Sequence, residues 1–522
     1  MWLKHVVRRG LDRDPEALAL RDGRRDVSWR RLHRDVEALA SRLRRDLPRG
    51  SRVLVLSGNR VEVIETYLAC AAAAVVAVPV NPALTDREIG AIVDSVEPAA
   101  AVAEAAGLTR LGALCPGLPL TDIAGIAELP DAGPDSGDHE GSGLADPVMI
   151  LHTSATTGAA KGVVVDQRSL QLNALSWLAD VRPRPGTVFL NAGPLFHGSV
   201  VIALDHLAAG GTVCVLDRFT PQGCLAALER WEVEHAFLVP SMVRLVLDTK
   251  ALDAADLSAL RLLLHGAAPM PAELAAEARE RLGTELQTVF GITEGGGPVL
   301  SLAPDTEAGE PPVPGAVCVG RPMLGTELRI ADGEGRAVAP GTIGELQVSG
   351  DGLMQGYWKR PEAAAEVLRD GWLNTHDLGC IDEAGLVWVV DRRNDLILRG
   401  GQNVYPAEIE HVLRQSPSVA DVVVVPVASP VWGQVPVAFV APVSPDAFDA
   451  TELLGLCVDG LAAYKRPSHF LPLETIPRNP AGKALRPRLR ELAHRLVIEP
   501  VEPVEPVKPV KPVEPVENKD TP

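Results

Sequence analysis

The sequence predicts an α/β protein: parallel strands alternating with helices, then mostly antiparallel β structure, then a small α+β unit. Three observations carry this. Short continuous apolar runs alternate with helical spacing from Trp29 to about Ala103, and again from Val148 past Leu264. After Gly320 the strands shorten and the glycines crowd together, as in residues 341–350. A charged segment, Asp391-Arg392-Arg393-Asn394-Asp395, follows the apolar run Leu386 to Val390 and marks a boundary.

The elements follow in order. Leu32, Val36, Leu39 and Leu43 recur at helical spacing, and Val53-Leu54-Val55-Leu56 is a short strand. An Ala-rich helix passes through Tyr67 to Ala73, and Val75 to Val80 is a strand. Residues 131–146 are rich in Gly, Asp and Ser and read as a surface loop. Beyond the charged boundary a helix starts at Pro406, where proline suits a first turn, with Ile409, Val412 and Leu413 on one face. Strand-like runs cover 420–427 and 437–443, and a further helix covers 453–461. From Glu499 onward proline returns every third residue, from Pro500 to Pro515. That period opposes helix and sheet and favours an extended polyproline segment. The expected domains are 1–393, 394–497 and a disordered Pro-rich tail, 498–522.

Composition excludes several classes. The 522 residues allow about three domains at roughly 150 residues each. An apolar share of 46% and a charged share of 23% exclude a wholly disordered chain. The net charge of −18 opposes non-specific binding to a phosphate backbone, so no nucleic-acid partner is expected. The longest small-apolar stretch, 69–80, contains Pro79 and falls short of the roughly 20 residues of a membrane span. The N-terminal residues carry positive charge but no apolar core of a signal peptide. Seven scattered cysteines without C-x-x-C spacing suggest neither a disulfide framework nor a zinc site. The expected class is a soluble cytoplasmic enzyme.

Chemistry concentrates in a few segments. Thr153-Ser154-Ala155-Thr156-Thr157-Gly158-Ala159-Ala160-Lys161-Gly162 follows the strand-like run 148–151. Hydroxyl and amide donors with one ammonium suit a polyphosphate. The segment does not match G-x-x-x-x-G-K-[ST], and taken alone it is also readable as a hydroxyl-rich turn. Further along stand Pro194-Leu195-Phe196-His197-Gly198, Gly266-Ala267-Ala268-Pro269, Phe290-Gly291-Ile292-Thr293-Glu294 and Gly344-Glu345-Leu346. Then come Thr375-His376-Asp377, Asp391-Arg392, Gly400-Gly401-Gln402-Asn403-Val404-Tyr405-Pro406 and Pro477-Arg478-Asn479-Pro480-Ala481-Gly482-Lys483.

In this order and at these intervals the set closely resembles the adenylate-forming superfamily: acyl- and aryl-CoA synthetases, peptide-synthetase adenylation domains and luciferases. Its motif form is nearest to acyl-CoA ligases. The resemblance runs from about Val27 to Leu489. It implies a large N-terminal domain of two α/β subdomains plus a β-rich barrel-like subdomain, with a small mobile α+β C-terminal domain. It also implies a reaction in two halves, between which the C-terminal domain turns about a hinge. A carboxylate attacks the α-phosphate of ATP to give an acyl-adenylate and pyrophosphate; a thiol, often that of CoA, then displaces AMP.

The resemblance assigns expected roles residue by residue. Thr153, Ser154, Thr156, Thr157, Gly158 and Lys161 would hold the β- and γ-phosphates, and Thr293 would contact the α-phosphate. Glu294 would bind Mg²⁺, a hard cation that prefers carboxylate oxygen. Gly266, Ala267 and Ala268 would lie against adenine, with Phe290 and Gly291 beside them; Phe290 stands where tyrosine is usual. Asp377 would accept bonds from the ribose hydroxyls, with Arg392 beside it. Lys483 would bridge carboxylate and phosphate oxygens during adenylation, where two anions converge and a cation is required. His197 resembles the aromatic plug beside the carboxylate pocket, though a packed core histidine is the bland alternative. Peptide-synthetase domains commonly carry Asp at that position to hold an α-ammonium, so an α-amino acid substrate is disfavoured. Gly295, Gly296 and Gly297 leave little side-chain volume where the acyl pocket should lie, hinting at a long or bulky apolar acid, or else form a flexible turn.

Four departures from the family pattern bear on the second half-reaction and the loop. Ala155 stands where glycine is usual and Ala160 where proline is usual. Asn394 occupies the hinge, where Asp or Lys is usual, and Leu398 a position that is lysine in some members, notably luciferase-like ones, but apolar in many CoA ligases. The expected activity is ATP-, Mg²⁺- and CoA-dependent ligation of a hydrophobic carboxylic acid. The alternatives are an adenylating enzyme that hands its acyl group to a carrier protein or partner ligase, and a non-catalytic nucleotide- or acyl-binding relative.

Overall fold

The protein was analysed as a computed structural model that describes residues 2–132, 143–153, 161–393, 395–400, 402–479 and 482–496; for Trp2 and Arg392 the description is of the backbone. Contact clustering divides the chain into two compact units. Among the described residues, the larger holds those up to 395 together with 477–485, and the smaller holds those of 396–476 and 486–496.

Two sheets organise the larger unit. In the first, the strands Ala100–Ala103, Arg52–Leu56 and Val76–Val80 run parallel and side by side, followed by Pro147–Thr153. Pro147–Thr153 turns back antiparallel as Lys161–Asp166, and the two-residue strand Gly356–Tyr357 closes that edge, antiparallel to it. The second sheet has a parallel centre of Glu285–Ile292, Leu262–Gly266, His235–Leu238, Val188–Asn191 and Thr212–Val215.

Helices cover both faces of the sheets, as the continuous apolar strands require. Along Arg52–Leu56 the side chains alternate. Val53 and Val55 join the main core, whereas Leu54 and Leu56 pack on the opposite face with Ile89 and Ile92. The main core joins Leu32, Val36 and Leu39, Ile64 and Leu68, and Phe189 and Val213, so it is shared between the two sheets through the helices. The helix Trp29–Asp46 begins where the Ser28 hydroxyl accepts from the Arg31 N–H, and it buries Leu32, Val36, Leu39 and Leu43, the residues spaced for it.

Past the parallel centre, Gly297–Leu302, Val317–Pro322, Val387–Arg392, Trp372–Ile381, Gly344–Ser349 and Glu327–Ala331 continue the second sheet, each antiparallel to its neighbour. This is the β-rich region anticipated from the short strands. A helix at the start of the chain, Trp2–Arg13, had no counterpart in the sequence reading.

The smaller unit is α+β. Its strands lie in the order Gln402–Val404, Ile397–Arg399, Gly433–Pro442, Val419–Ser429, with His469–Pro472 parallel to Gly433–Pro442. The helix Pro406–Leu413 carries proline in its first turn and buries Ile409, Val412 and Leu413. Glu410 on that helix is also buried, and it is matched there. It accepts from the Val424 N–H at 2.9 Å and meets the Arg486 guanidinium at 2.9 Å and that of Arg414 at 3.2 Å.

Candidate active site

The phosphate-loop candidate is the connection of a β-hairpin. Thr153 ends one strand and Lys161 opens the next, paired with each other in register. Ser154, Thr156, Thr157 and Gly158, like Ala155 and Ala160, lie outside the described residues. Gly162 has a steric reason to be glycine: a methyl group there would lie 2.6 Å from Ile150 Cγ2.

Lys161 faces an aromatic ring. Its Nζ lies 4.9 Å from the centroid of Tyr357. The register explains the contact. Tyr357 pairs with Val163, and Lys161 is the diagonal neighbour on the same face of the antiparallel pair. The hydroxyl of the same tyrosine donates to Glu294 Oε1 at 2.8 Å. Burial and the Glu294 charge push the Tyr357 hydroxyl up, so it stays protonated and acts as donor. Glu294 sits on the short turn Thr293–Gly295 after the strand Glu285–Ile292, and its carbonyl accepts from the Met354 N–H at 2.9 Å. Two sequence candidates far apart in the chain thus meet on one tyrosine that the sequence reading had not singled out. A two-residue strand has no periodicity to read, and a tyrosine beside a glycine signals no particular chemistry.

The adenine candidates sit on neighbouring strands. Gly266 pairs with Val289 in a parallel ladder, so Ala267 and Ala268 leave the sheet at the same end as Phe290, Gly291 and Thr293. Ligands of open α/β sheets collect at that carboxyl end. Gly266 is glycine because a methyl there would lie 2.1 Å from the Val289 carbonyl oxygen. Ala267 takes a φ of 65°, the left-handed region that a non-glycine residue rarely occupies.

Asp377 lies on the strand Trp372–Ile381, paired with Arg392, and is 3% exposed. The preceding His376 has φ 60°. That kink is held on both sides: the His376 N–H donates to Asn374 Oδ1 at 2.9 Å, and its carbonyl accepts from the Arg393 N–H at 2.9 Å. Glu345 ties the surroundings together by accepting from the side chains of Asn374 and Arg393. The hinge candidate Asn394 lies outside the described residues.

His197 and Lys483 belong to the larger unit. Burial, and after it the Lys483 charge, push the His197 imidazole down, so it is neutral at pH 7. Its ring meets Phe196 edge-on at 4.9 Å between centroids. Lys483 is set by a tight turn. Its N–H donates to Asn479 Oδ1 at 2.9 Å, and its carbonyl accepts from the Asn479 N–H at 2.8 Å. Gly482 takes a φ of 77° in that turn.

The glycine run behaves differently from a simple opening. A methyl at Gly296 would lie 2.6 Å from the Gly352 carbonyl oxygen, and one at Gly297 would lie 2.3 Å from Asn173 Oδ1. Close packing takes up the space at both. Gly295 lines a small cavity with Asn173, Ser176, Pro298 and Val299.

The donor set was tested against Mg²⁺. Among the described residues no group of three His, Cys, Asp or Glu forms a cage. Glu294 instead presents one carboxylate whose Oε1 is fixed by Tyr357. That fits Mg²⁺, which retains water and takes phosphate oxygens alongside one or two carboxylates. No helix among the described residues is long and apolar enough to cross a membrane.

Known proteins resemble this chain along most of its length. The family model described as AMP-binding enzyme matches residues 7–358, and that of the AMP-binding enzyme C-terminal domain matches 408–483. A feruloyl-CoA synthase from an Amycolatopsis species is 36% identical over 488 residues, covering 91% of this chain and 96% of that protein. A fatty acid–[acyl-carrier-protein] ligase, ScoC, from Streptomyces coeruleorubidus is 32% identical over 493 residues, covering 90% and 92%. Among solved structures, the o-succinylbenzoate CoA synthetase of Bacillus subtilis in complex with ATP and magnesium superposes with a TM-score of 0.82 at 27% identity, covering 93% of this chain and 98% of that one. The chain belongs to the AMP-binding enzyme family, within the adenylate-forming superfamily.

Proposed function

We propose that this enzyme activates a hydrophobic carboxylic acid as its acyl-adenylate, using ATP and Mg²⁺, and then transfers the acyl group to CoA. The observation that carries the substrate class is the neutral, partly buried His197 ring within electrostatic reach of Lys483. A neutral imidazole supplies no fixed negative charge for an α-ammonium, while the nearby cation favours a carboxylate. The 36% identity to a feruloyl-CoA synthase supports an aryl or similarly apolar acid.

Within this reading Lys161, the hydroxyls of Thr153, Ser154, Thr156 and Thr157, and the backbone at Gly158 bind the β- and γ-phosphates, and Glu294 holds Mg²⁺. Bound there, Mg²⁺ supplies charge that neutralises the phosphate oxygens and orients the α-phosphate. Asp377 holds the ribose hydroxyls, with Arg392 beside it. Lys483 brings the carboxylate oxygen to the α-phosphate by countering the charge of both. The nucleophile is the carboxylate oxygen, the leaving group is pyrophosphate, and no proton needs to move in this step. The domain limits 1–393 and 394–497, with Asn394 as hinge, belong to the same proposal.

The test is exchange of labelled pyrophosphate into ATP across a panel of fatty, aryl and polycyclic acids. Exchange with apolar acids and none with α-amino acids is the expected result; the reverse preference defeats the substrate class. A second reading, transfer to a carrier protein, is favoured by the 32% identity to ScoC. Offering CoA and a phosphopantetheinylated carrier protein side by side to the adenylate separates the two.

A further inference from the structure

The main chain and one side chain fix Glu294 more tightly than metal binding by a lone surface carboxylate would require. Its backbone carbonyl is tied to the Met354 N–H at 2.9 Å, and its Oε1 takes the Tyr357 hydroxyl at 2.8 Å. Tyr357 is 8% exposed and is itself held on the sheet edge. Its strand pairs with Lys161–Asp166, and the N–H groups of Gln355 and Trp358 donate to Val164 and Gly162 on either side. On the ring face of the same residue lies the Lys161 ammonium, at 4.9 Å. Neither Lys161 nor Glu294 forms an ion pair among the described residues.

We infer that Tyr357 is a positioning residue that holds Glu294 and Lys161 apart and in register, one for the metal and the other for the terminal phosphates. The inference rests on the proposed function for the roles of these two residues. A cation and a carboxylate that meet on one side chain would otherwise drift into a direct pair, and each would then have to be freed before Mg·ATP could bind. The aromatic ring prevents this in two ways. Its face satisfies the ammonium without neutralising it. Its hydroxyl takes one lone pair of Oε1 and restricts the carboxylate, which would leave Oε2 to ligate the cation. Metal-ligating carboxylates are oriented by such hydrogen bonds from behind, and losing one commonly costs about 10–100-fold in metal affinity.

Two substitutions separate the two contacts. Tyr357→Phe keeps the ring and removes the hydroxyl; Tyr357→Leu removes both. Calorimetry of ATP binding to the full chain, with and without Mg²⁺, reads them directly and needs no acid substrate. For Tyr357→Phe, metal-free ATP affinity should stay at the wild-type value, and the gain in affinity on adding Mg²⁺ should fall roughly ten- to hundredfold, the scale of one lost hydrogen bond to a charged group. The Mg²⁺ concentration for half-maximal pyrophosphate exchange should rise by a similar factor, with exchange recovering at high Mg²⁺. Tyr357→Leu should show that same loss and, in addition, a weaker metal-free affinity. A wild-type Mg²⁺ gain in Tyr357→Phe overturns the inference, whether or not the leucine variant folds. If wild-type protein binds Mg·ATP but exchanges pyrophosphate with no acid, the proposed activity fails while the positioning role still stands or falls on the calorimetry.

Discussion

Lys483 is the residue on which the proposed first half-reaction depends most. Its backbone is locked in a turn by reciprocal bonds to Asn479, so the side chain starts from a fixed point. Its cation is needed only while carboxylate and α-phosphate charges converge. Lys483→Ala should therefore lower pyrophosphate exchange by about a hundredfold or more, the usual cost of removing such a contact, and leave thiol attack on a preformed acyl-adenylate largely intact. Wild-type exchange in the variant would remove Lys483 from the mechanism. The same scale shows where sequence reading reaches its limit. Lys161, Glu294 and Lys483 stand out as candidates by charge in a glycine-bounded motif, and their roles belong to the proposal. The packing at Gly296 and Gly297 was not legible, because spacing cannot tell a glycine that leaves room from one pressed against Gly352 or Asn173. Tyr357 was invisible for a third reason: its partner Glu294 is 63 residues away, and its strand is too short to pattern.

Among the elements, the helix Val61–Ala72 is buried along its whole length, so its two glutamates cannot reach water and must be matched inside. Arg25 serves three carboxylates: Asp35 at 2.8 Å, Glu62 at 2.9 Å and Glu65 at 3.2 Å. Asp35 also has Arg31, and Glu62 also has Arg60. Glu65 has Arg25 alone among the described residues, and burial pushes its carboxyl up from 4.5 to about 8. A folded-state value above the unfolded one means that the neutral acid is what the fold accommodates. Its contribution is fully present below 4.5 and is lost as pH rises through about 8. Glu65→Gln should thus gain on wild type across that window, and urea midpoints at its two ends should diverge. Parallel midpoints would show that Glu65 is ionised in the fold at neutral pH. Elements of this kind were legible unevenly. Trp29–Asp46 could be read from one apolar face, and the continuous runs gave the parallel strands. The return strand Lys161–Asp166 is short and fully apolar only from Val163 to Val165, too little to separate it from the hydroxyl-rich segment before it. Trp2–Arg13 shows only a narrow apolar stripe, Leu3, Val6 and Val7, among basic residues.

At the scale of the whole molecule the open question is whether one chain performs both half-reactions. The chain passes between its two compact units at residues 395–396, 476–477 and 485–486, so the loop bearing Lys483 is flanked on both sides by the smaller unit. Any rotation of that unit must carry the attachment points of the loop with it. A hinge residue has to absorb the backbone change, and its side chain biases which pose is occupied. In the proposed hinge role asparagine, which tolerates unusual backbone angles well, would not obstruct such a rotation. What asparagine lacks is a charge that could pair in either pose, and an exposed pair is worth only about 0–1 kcal/mol, enough to shift populations a few-fold. The proposed full ligase should therefore turn over many times when acid, ATP, Mg²⁺ and CoA are supplied together. Omitting CoA should leave one equivalent of tightly held acyl-adenylate per active site, because no thiol is present to displace AMP. Mass spectrometry of the products with and without CoA reads both outcomes. Adenylate that accumulates in the presence of CoA, without thioester, would confine this chain to the first half-reaction and shift the assignment to transfer onto a partner protein.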